Sequence, residues 1–305
     1  MGRYFLLAAL LLIISAMAAH GQSCVPSQAM VIVGQPAIVN FHWPGDGSQY
    51  YLEVYGMGKP VYSKPISGST FAMSLPPSDY KWQVRKFYQG RYVEVMDFIS
   101  FSVRSDLKYS FDGKRGAPGG SGGSGSGGWV NNEGGMQGAG SGRAGESGSN
   151  GENGGDVAVG LRDAGDYIAV QIASGSFITQ FFLAKSSSPL VISARGGDGG
   201  TGGAGGAGGT VQQYQDGYTD PYTTRRGYAA GGSGGPGGDG GDGGDGGDVT
   251  VTSSGVDLKS FVTIDAAGGQ GGRGGSGGPG GNPGGQSGYP GRSGRDGQKG
   301  KTEFK

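Results

Sequence analysis

Two stretches decide how this chain reads: GGDGGTGGAGGAGGT over 196–210 and GGSGGPGGDGGDGGDGGD over 231–248. Both keep the triplet Gly-Gly-X in strict register, and the triplet returns at Gly268–Pro279. A flexible linker has no use for that register. The polyproline II conformation, with three residues per turn, places every X on one side of an extended left-handed helix. Such a helix makes no internal hydrogen bonds, so its amides need water or neighbours. Only glycine lets backbones approach closely enough for neighbouring helices to bond to one another. Fixing the backbone costs about 1–2 kcal/mol per residue, with glycine at the high end, so a lone run stays unordered and only a cooperative bundle is stable. The reading is a polyglycine II bundle. At ~3.1 Å per residue a run of roughly 15 residues spans about 45 Å, which holds the connecting loops far from where the runs begin.

The flanks repeat one grammar. Strand-like Leu107–Phe111 leads into glycine at Gly116, and Gly154-Gly155-Asp156 returns to Val157-Ala158-Val159. Leu190-Val191-Ile192 leads into 196–210, and 231–248 returns to Val249-Thr250-Val251. Phe261–Ile264 leads into a third outgoing run. Asp156–Ile172 and Asp248–Ile264 have equal length, which makes Val170-Gln171-Ile172 the expected counterpart of Val262-Thr263-Ile264 in an internal repeat. The strands are expected to form a β base from which glycine hairpins project.

With 73 Gly and 14 Pro among 305 residues and a formal net charge of zero, the chain is too glycine-rich for one ordinary globular domain. Arg3, the apolar run Phe5–Ile14 and small residues at Ala16–Ala19 read as a secretory signal peptide over 1–21, too short to span a bilayer. The expected address is therefore secreted, extracellular or cell-surface. Cys24 is the only cysteine, so it forms no internal disulfide; it stands as a free thiol, an intermolecular partner or a candidate lipid anchor. His42 is the only histidine beyond the leader. One Cys and one His build neither a Cys/His nucleophilic site nor a Cys/His zinc site.

From Ser27 to Val103 short apolar-polar alternations separated by turn residues read as an antiparallel β-sandwich. Tyr50, Leu52 and Val54 share one face, with Tyr51, Glu53 and Tyr55 on the other. Leu75, Pro77, Tyr80, Trp82 and Val84 stand where the fibronectin type III family, which this segment resembles, has its tyrosine corner and following strand. That resemblance implies a spacer or binding module without chemistry of its own. The glycine runs look like the polyglycine II bundles of bacteriophage tail-tip adhesins and springtail antifreeze proteins. This second resemblance is architectural and transfers no binding residue. The expected fold class is all-β plus polyglycine II. A fibronectin III-like sandwich at 27–105 precedes, at 106–305, a β base with a bundle of Gly-Gly-X polyproline II-type helices.

Competing readings of the glycine runs are weaker. Collagen requires Pro at X and Y, scarce here, and only Gly288–Gly300 reads as Gly-X-Y. A calcium-binding β-roll needs an apolar residue in each nine-residue repeat, and none occurs between Gly237 and Asp248. Asp239, Asp242, Asp245 and Asp248 form an acidic stripe, read as a solvated face or a weak cation site. Phosphate-loop matches arise trivially in this composition and lack a strand-loop-helix context. Flexible linker is the remaining rival.

Between the long runs stand Tyr214, Tyr218, Tyr222, Arg225, Arg226 and Tyr228, residue types that bury area and still hydrogen-bond at recognition surfaces. With Trp129 from the first hairpin they form the candidate recognition loop, joined by Tyr289 and Arg292 of the tail; the bland alternative is that they cap the bundle end. The expectation is a secreted or cell-surface bacterial structural or adhesion protein, not an enzyme, presenting these loops to an extracellular or cell-surface protein or glycan. It involves no cofactor, no metal and no nucleic acid, and a membrane only through the leader or a lipid on Cys24. Two alternatives stand beside it: an ice-binding protein and a disordered glycine-rich matrix protein.

Overall fold

The computed structural model describes residues 24–35, 37–131, 135–213, 229–254 and 259–305. Among these the chain is all-β, with one 3-10 turn at Lys259–Phe261. The first unit holds β1 (Met30–Val33), β2 (Ile38–His42), β3 (Gln49–Gly56), β4 (Lys59–Ser67), β5 (Thr70–Ser74), β6 (Ser78–Tyr88), β7 (Arg91–Glu94) and β8 (Ile99–Arg104). β2 pairs with β5, and the facing sheet runs β1-β8-β6-β3-β4, with β7 also on β6. Alternation buries Tyr50, Leu52 and Val54 against Phe41 and Trp82, whose rings meet edge-on at 5.1 Å. The Tyr80 hydroxyl donates to the Pro76 carbonyl at 2.7 Å, and the Trp82 indole donates to Pro26 at 3.0 Å. Glu53, which alternation places on the outer face, is buried there because Gln83 (2.5 Å) and Arg85 supply donors to its carboxylate.

The second unit adds β9 (Lys108–Ser110), β10 (Gly128–Val130), β11 (Met136–Gln137), β12 (Val157–Ala164), β13 (Tyr167–Ser174), β14 (Phe177–Ala184), β15 (Leu190–Ser193), β16 (Val211–Gln213), β17 (Val249–Ser254), β18 (Val262–Asp265) and β19 (Thr302–Phe304). β9, β15 and β18 form one parallel sheet; β12, β17 and β19 pair in parallel in the other. Val159, Ile172, Leu183, Leu190, Ile192 and Val251 are among the residues of the core of this base. The second sheet continues through β13 and β14 to β1, whose Ile32 and Val33 pair with Phe182 and Leu183. One 11-stranded sheet thus crosses the boundary expected at 105–106. Tyr167 of β13 is packed in the core of the first unit, and its hydroxyl accepts the Asn40 amide at 2.7 Å.

The repeat is corrected in one respect. By position in the base the counterpart of β18 is β15, its neighbour in the same parallel sheet with Ile192 opposite Ile264, and not the segment containing Val170-Gln171-Ile172. That segment belongs to β13, part of a hairpin that the first repeat carries between β12 and β15. Equal spacing is coincidental here, because pairing and not chain distance defines equivalent strands.

Six extended glycine-rich segments leave and re-enter the base: I (111–127), II (138–156), III (194–210), IV (229–248), V (266–282) and VI (284–301). The third outgoing run does not end the array; it turns at 282–284 and returns as VI, the stretch that resembled Gly-X-Y, to β19. Segments I, III and V make one row and II, IV and VI a second. Within a row neighbours are parallel and bonded every third residue, as in Gly199 N–H to Gln270 O and Gly240 N–H to Arg292 O, both 2.8 Å. Across rows they are antiparallel, as in Gly203 N–H to Glu146 O and Gly238 N–H to Gly203 O, both 2.8 Å. Each row is the continuation of one parallel sheet of the base.

Glycine content follows from the neighbours each segment has. A Cβ on Gly203 of segment III would lie 1.9 Å from the Gly120 oxygen, and one on Gly202 1.9 Å from the Gly238 oxygen. Segments III, IV and V are obstructed at both glycines of the triplet; I, II and VI only at one. Hence the inner segments read Gly-Gly-X, while II and VI read Gly-X-X and the second glycines of I, as at Gly123, are not sterically required. Position 234 in segment IV is glycine because a Cβ there would meet Gly278 O at 1.9 Å. The equivalent places on segment VI hold Ser287, Pro290, Ser293, Asp296 and Lys299. Their side chains stand where a seventh segment would run, and they terminate the array.

Gly203→Ala is therefore expected to destabilise the array by about 1–3 kcal/mol of overpacking or more and to lower the melting temperature, whereas Gly123→Ala, whose nearest obstruction is Arg143 Cδ at 3.8 Å, stays close to wild type in the same thermal melt. A second expectation concerns the junction of the units. Burial pushes the Tyr167 hydroxyl up to about 12. The folded value lies above the unfolded one near ~10, so the stabilisation is complete below pH ~10 and is lost as pH rises toward ~12. Tyr167→Phe should cost about 1 kcal/mol at neutral pH and flatten the alkaline fall of stability, measured by denaturant titration across that range.

Candidate functional site

At the end of the array remote from the base, the described ends of the hairpin connections lie side by side. β10 pairs in parallel with β16, Trp129 opposite Gln212, and antiparallel with β11. Val211 N–H donates to Asn282 O at 2.8 Å, which brings the 282–284 turn alongside. Trp129 is 39% exposed, with its indole N–H on Gln137 Oε1 at 2.8 Å, and Met136, which pairs with the next residue, Val130, is 51% exposed. Of the candidate recognition residues only Trp129 is described. Tyr214, Tyr218, Tyr222, Arg225, Arg226 and Tyr228 lie outside the described residues, and the flanking Gln213 and Ala229 belong to β16 and to the start of segment IV. Tyr289 and Arg292, expected to join the tip, instead sit along segment VI, bonded through their backbone to Gly237 and Gly240.

Asp239, Asp242 and Asp245 of the acidic stripe are exposed, as expected of a solvated face, and the stripe also bonds the next segment. Backbone bonding between segments leaves the amide of each X residue over. Asp239, Asp242, Asp245 and Asp248 each accept, through Oδ1, the X amide of the next segment in the row: Arg292, Arg295 and Gln298 at 2.7 Å and Lys301 at 2.9 Å. Asn150, Asn153 and Asp156 of segment II do the same for Asp242, Asp245 and Asp248 at 2.8–2.9 Å. On the other face Asp112 holds Arg195 N–H at 2.8 Å and Asp198 holds Gln270 N–H at 2.9 Å. A carboxylate oxygen makes a charge-assisted bond to an amide, stronger than a neutral one. Segments V and VI, which have no further neighbour in their rows, carry no aspartate at X. The signal was present in the sequence as aspartate confined to triplet positions of the earlier runs.

Edge amides are closed by side chains as well. Ala117 N–H donates to Ser149 Oγ at 2.7 Å, Gly120 N–H to Glu146 Oε2 at 3.3 Å and Gly271 N–H to Asp296 Oδ1 at 2.8 Å. Among the described residues no cluster of three His, Cys, Asp or Glu is placed to hold a metal. His42 Nε2 lies 2.5 Å from Asp166 Oδ2, between the two units. Cys24 is partly buried with Sγ 3.8 Å from Met96 Sδ, and burial raises its thiol above the usual range. A cavity of about 640 Å³ at one end of the first unit is lined by Trp43, Asp46, Tyr50, Ser69, Lys86 and Val95 among others. Lys86, with Ser48 and Tyr50, holds the Asp46 carboxyl well below the usual carboxylate range, so its acceptors are already engaged.

No family model, curated protein or solved structure matches this chain.

Asp242→Ala combined with Asp245→Ala should destabilise the array by about 0.5–1.5 kcal/mol per lost bond, and Asn at both positions should recover most of it because the acceptor oxygen is kept. Added calcium should leave the melting temperature of the wild type unchanged; a calcium-dependent rise in thermal melts would restore the cation reading.

Proposed function

We propose that segments I–VI are polyglycine II helices and that the first unit is a fibronectin III-like module. Bonding at every third residue supports the first assignment. The two-sheet arrangement with the Tyr80 to Pro76 bond supports the second. On this reading the chain is a secreted or cell-surface scaffold, without enzymatic activity, that presents recognition loops to an extracellular protein or glycan.

The observation that carries the reading is that the described ends of the connections, 128–131 with 135–137, 211–213, and the 282–284 turn, lie together at one end of the array. A hydrogen-bonded array of two rows is costly to order, since each glycine gives up more backbone freedom than any other residue. Its product is a stiff mount that places those loops together, about 45 Å from the base. Binding elements on loops held by a rigid scaffold are a general solution to recognition. The ice-binding alternative draws on Thr201, Ala204, Ala207 and Thr210, small residues in triplet register on segment III. Thermal hysteresis of a micromolar solution separates it from adhesion.

The chain lacking the leader, residues 1–21, screened on arrays of glycans and extracellular proteins, should retain a ligand. Replacing Tyr214, Tyr218, Tyr222 and Tyr228 together by Ala should abolish that retention while glycine amide protection stays as in wild type. Retention unchanged by the four substitutions, or absent in the wild type, sinks the proposal.

A further inference from the structure

Segment II contains Asn150-Gly151 and Asn153-Gly154. In an unrestrained Asn-Gly pair the glycine nitrogen attacks the preceding carboxamide carbon. An N–C bond forms and ammonia leaves, giving a succinimide. Water then opens the ring to aspartate or isoaspartate, with no oxidant or reductant involved. The same ring forms at Asp-Gly pairs with loss of water, which hydrolysis returns. The reaction needs a free glycine N–H and a side chain able to swing onto it.

In the folded array both partners of each pair are held by one residue of the next segment. Asp242 accepts the Gly151 N–H through its carbonyl at 2.8 Å and donates its own N–H to Asn150 Oδ1 at 2.8 Å. Asp245 holds Gly154 N–H and Asn153 Oδ1 in the same way, both at 2.8 Å. The clamp recurs at the aspartates. Arg292 holds Asp239 and Gly240, Arg295 holds Asp242 and Gly243, Gln298 holds Asp245 and Gly246, and Gln270 holds Asp198 and Gly199.

We propose that Asn150 and Asn153 are age-marking modification sites, silent while segments II and IV are bonded and converted to isoaspartate when that contact opens. Isoaspartate adds one carbon to the main chain. The three-residue register between II and IV is then lost beyond the modified residue, and the segments do not reclose. The array carries a record of its own openings, written at the Asn-Gly pairs of segment II, one of the outer segments.

The test follows conversion at the two asparagines by peptide mapping and mass spectrometry, reading the one-dalton gain and the isoaspartate fraction during incubation in mildly alkaline buffer. The full chain in denaturant should convert at Asn150 and Asn153 at least ~10-fold faster than the folded chain, because folding restricts reaction to rare local openings. A second variant isolates the clamp. Segment IV already accepts proline at an X position, Pro236, so Asp242→Pro removes the N–H that holds Asn150 Oδ1 while keeping the carbonyl that holds Gly151. In that folded variant Asn150 should convert several-fold faster than Asn153. Equal rates in folded and denatured wild type, or no lead of Asn150 over Asn153 in the folded variant, overturns the proposal. Should glycine amide protection show the variant unfolded, the folded-against-denatured comparison alone decides.

Discussion

An extended glycine segment cannot satisfy its own amides, and everything in the second half of this protein answers that constraint. In segments II, III and IV every third amide bonds within the row and another third bonds across; segment I donates to backbone only within its row, and V and VI only across. The remaining third, at X, is met for several residues by the carboxylate or carboxamide of the neighbour behind it. No segment is stable without the others, because each is a donor to one neighbour and an acceptor from another. The base supplies the register: parallel strands β9-β15-β18 and β12-β17-β19 set the stagger that the rows inherit.

The boundaries of the array are drawn by the same sterics that hold its middle together. Inner triplets are Gly-Gly-X since a methyl group at either glycine would fall on a neighbour's carbonyl oxygen. On the outer flank of segment VI, Pro290 has no amide to offer and Ser287, Ser293, Asp296 and Lys299 occupy the space of a further segment. On segment II, Arg143, Glu146, Ser149 and Glu152 do so at the opposite end. An open row of glycine amides would invite other chains, as an uncovered strand edge does. Here the edges carry charge and side-chain caps.

The two units are joined as a single sheet and not as beads on a linker. β1 pairs with β14, Tyr167 fills part of the first core, and His42 meets Asp166 across the junction. The proposed display function depends on this, since a mount is useful only when its base is fixed. It also explains why apolar residues cluster where they do: Ile168, Val170 and Ile172 serve the core of the base, while Tyr167, one residue earlier, reaches the other core.

The sequence by itself determined that the glycine runs are ordered in threes, that strands flank them, and that the alternation from Tyr50 to Val54 buries one face. Triplet register and strand alternation are local properties, written in consecutive residues. It did not disclose the return of segment VI, whose single glycine per turn looked like a different motif, because the second glycine is required only where a neighbour lies on that side. Nor did it give the task of Asp239, Asp242, Asp245 and Asp248, or the buried partner of Glu53, or the true mate of β18. Those depend on which segment lies beside which, and adjacency between residues dozens of positions apart is fixed by pairing in three dimensions. The candidate site divides the same way. Trp129 was legible as an exposed aromatic on a hairpin, while the meeting of the described ends of the connections was decided by the two-row packing of the array.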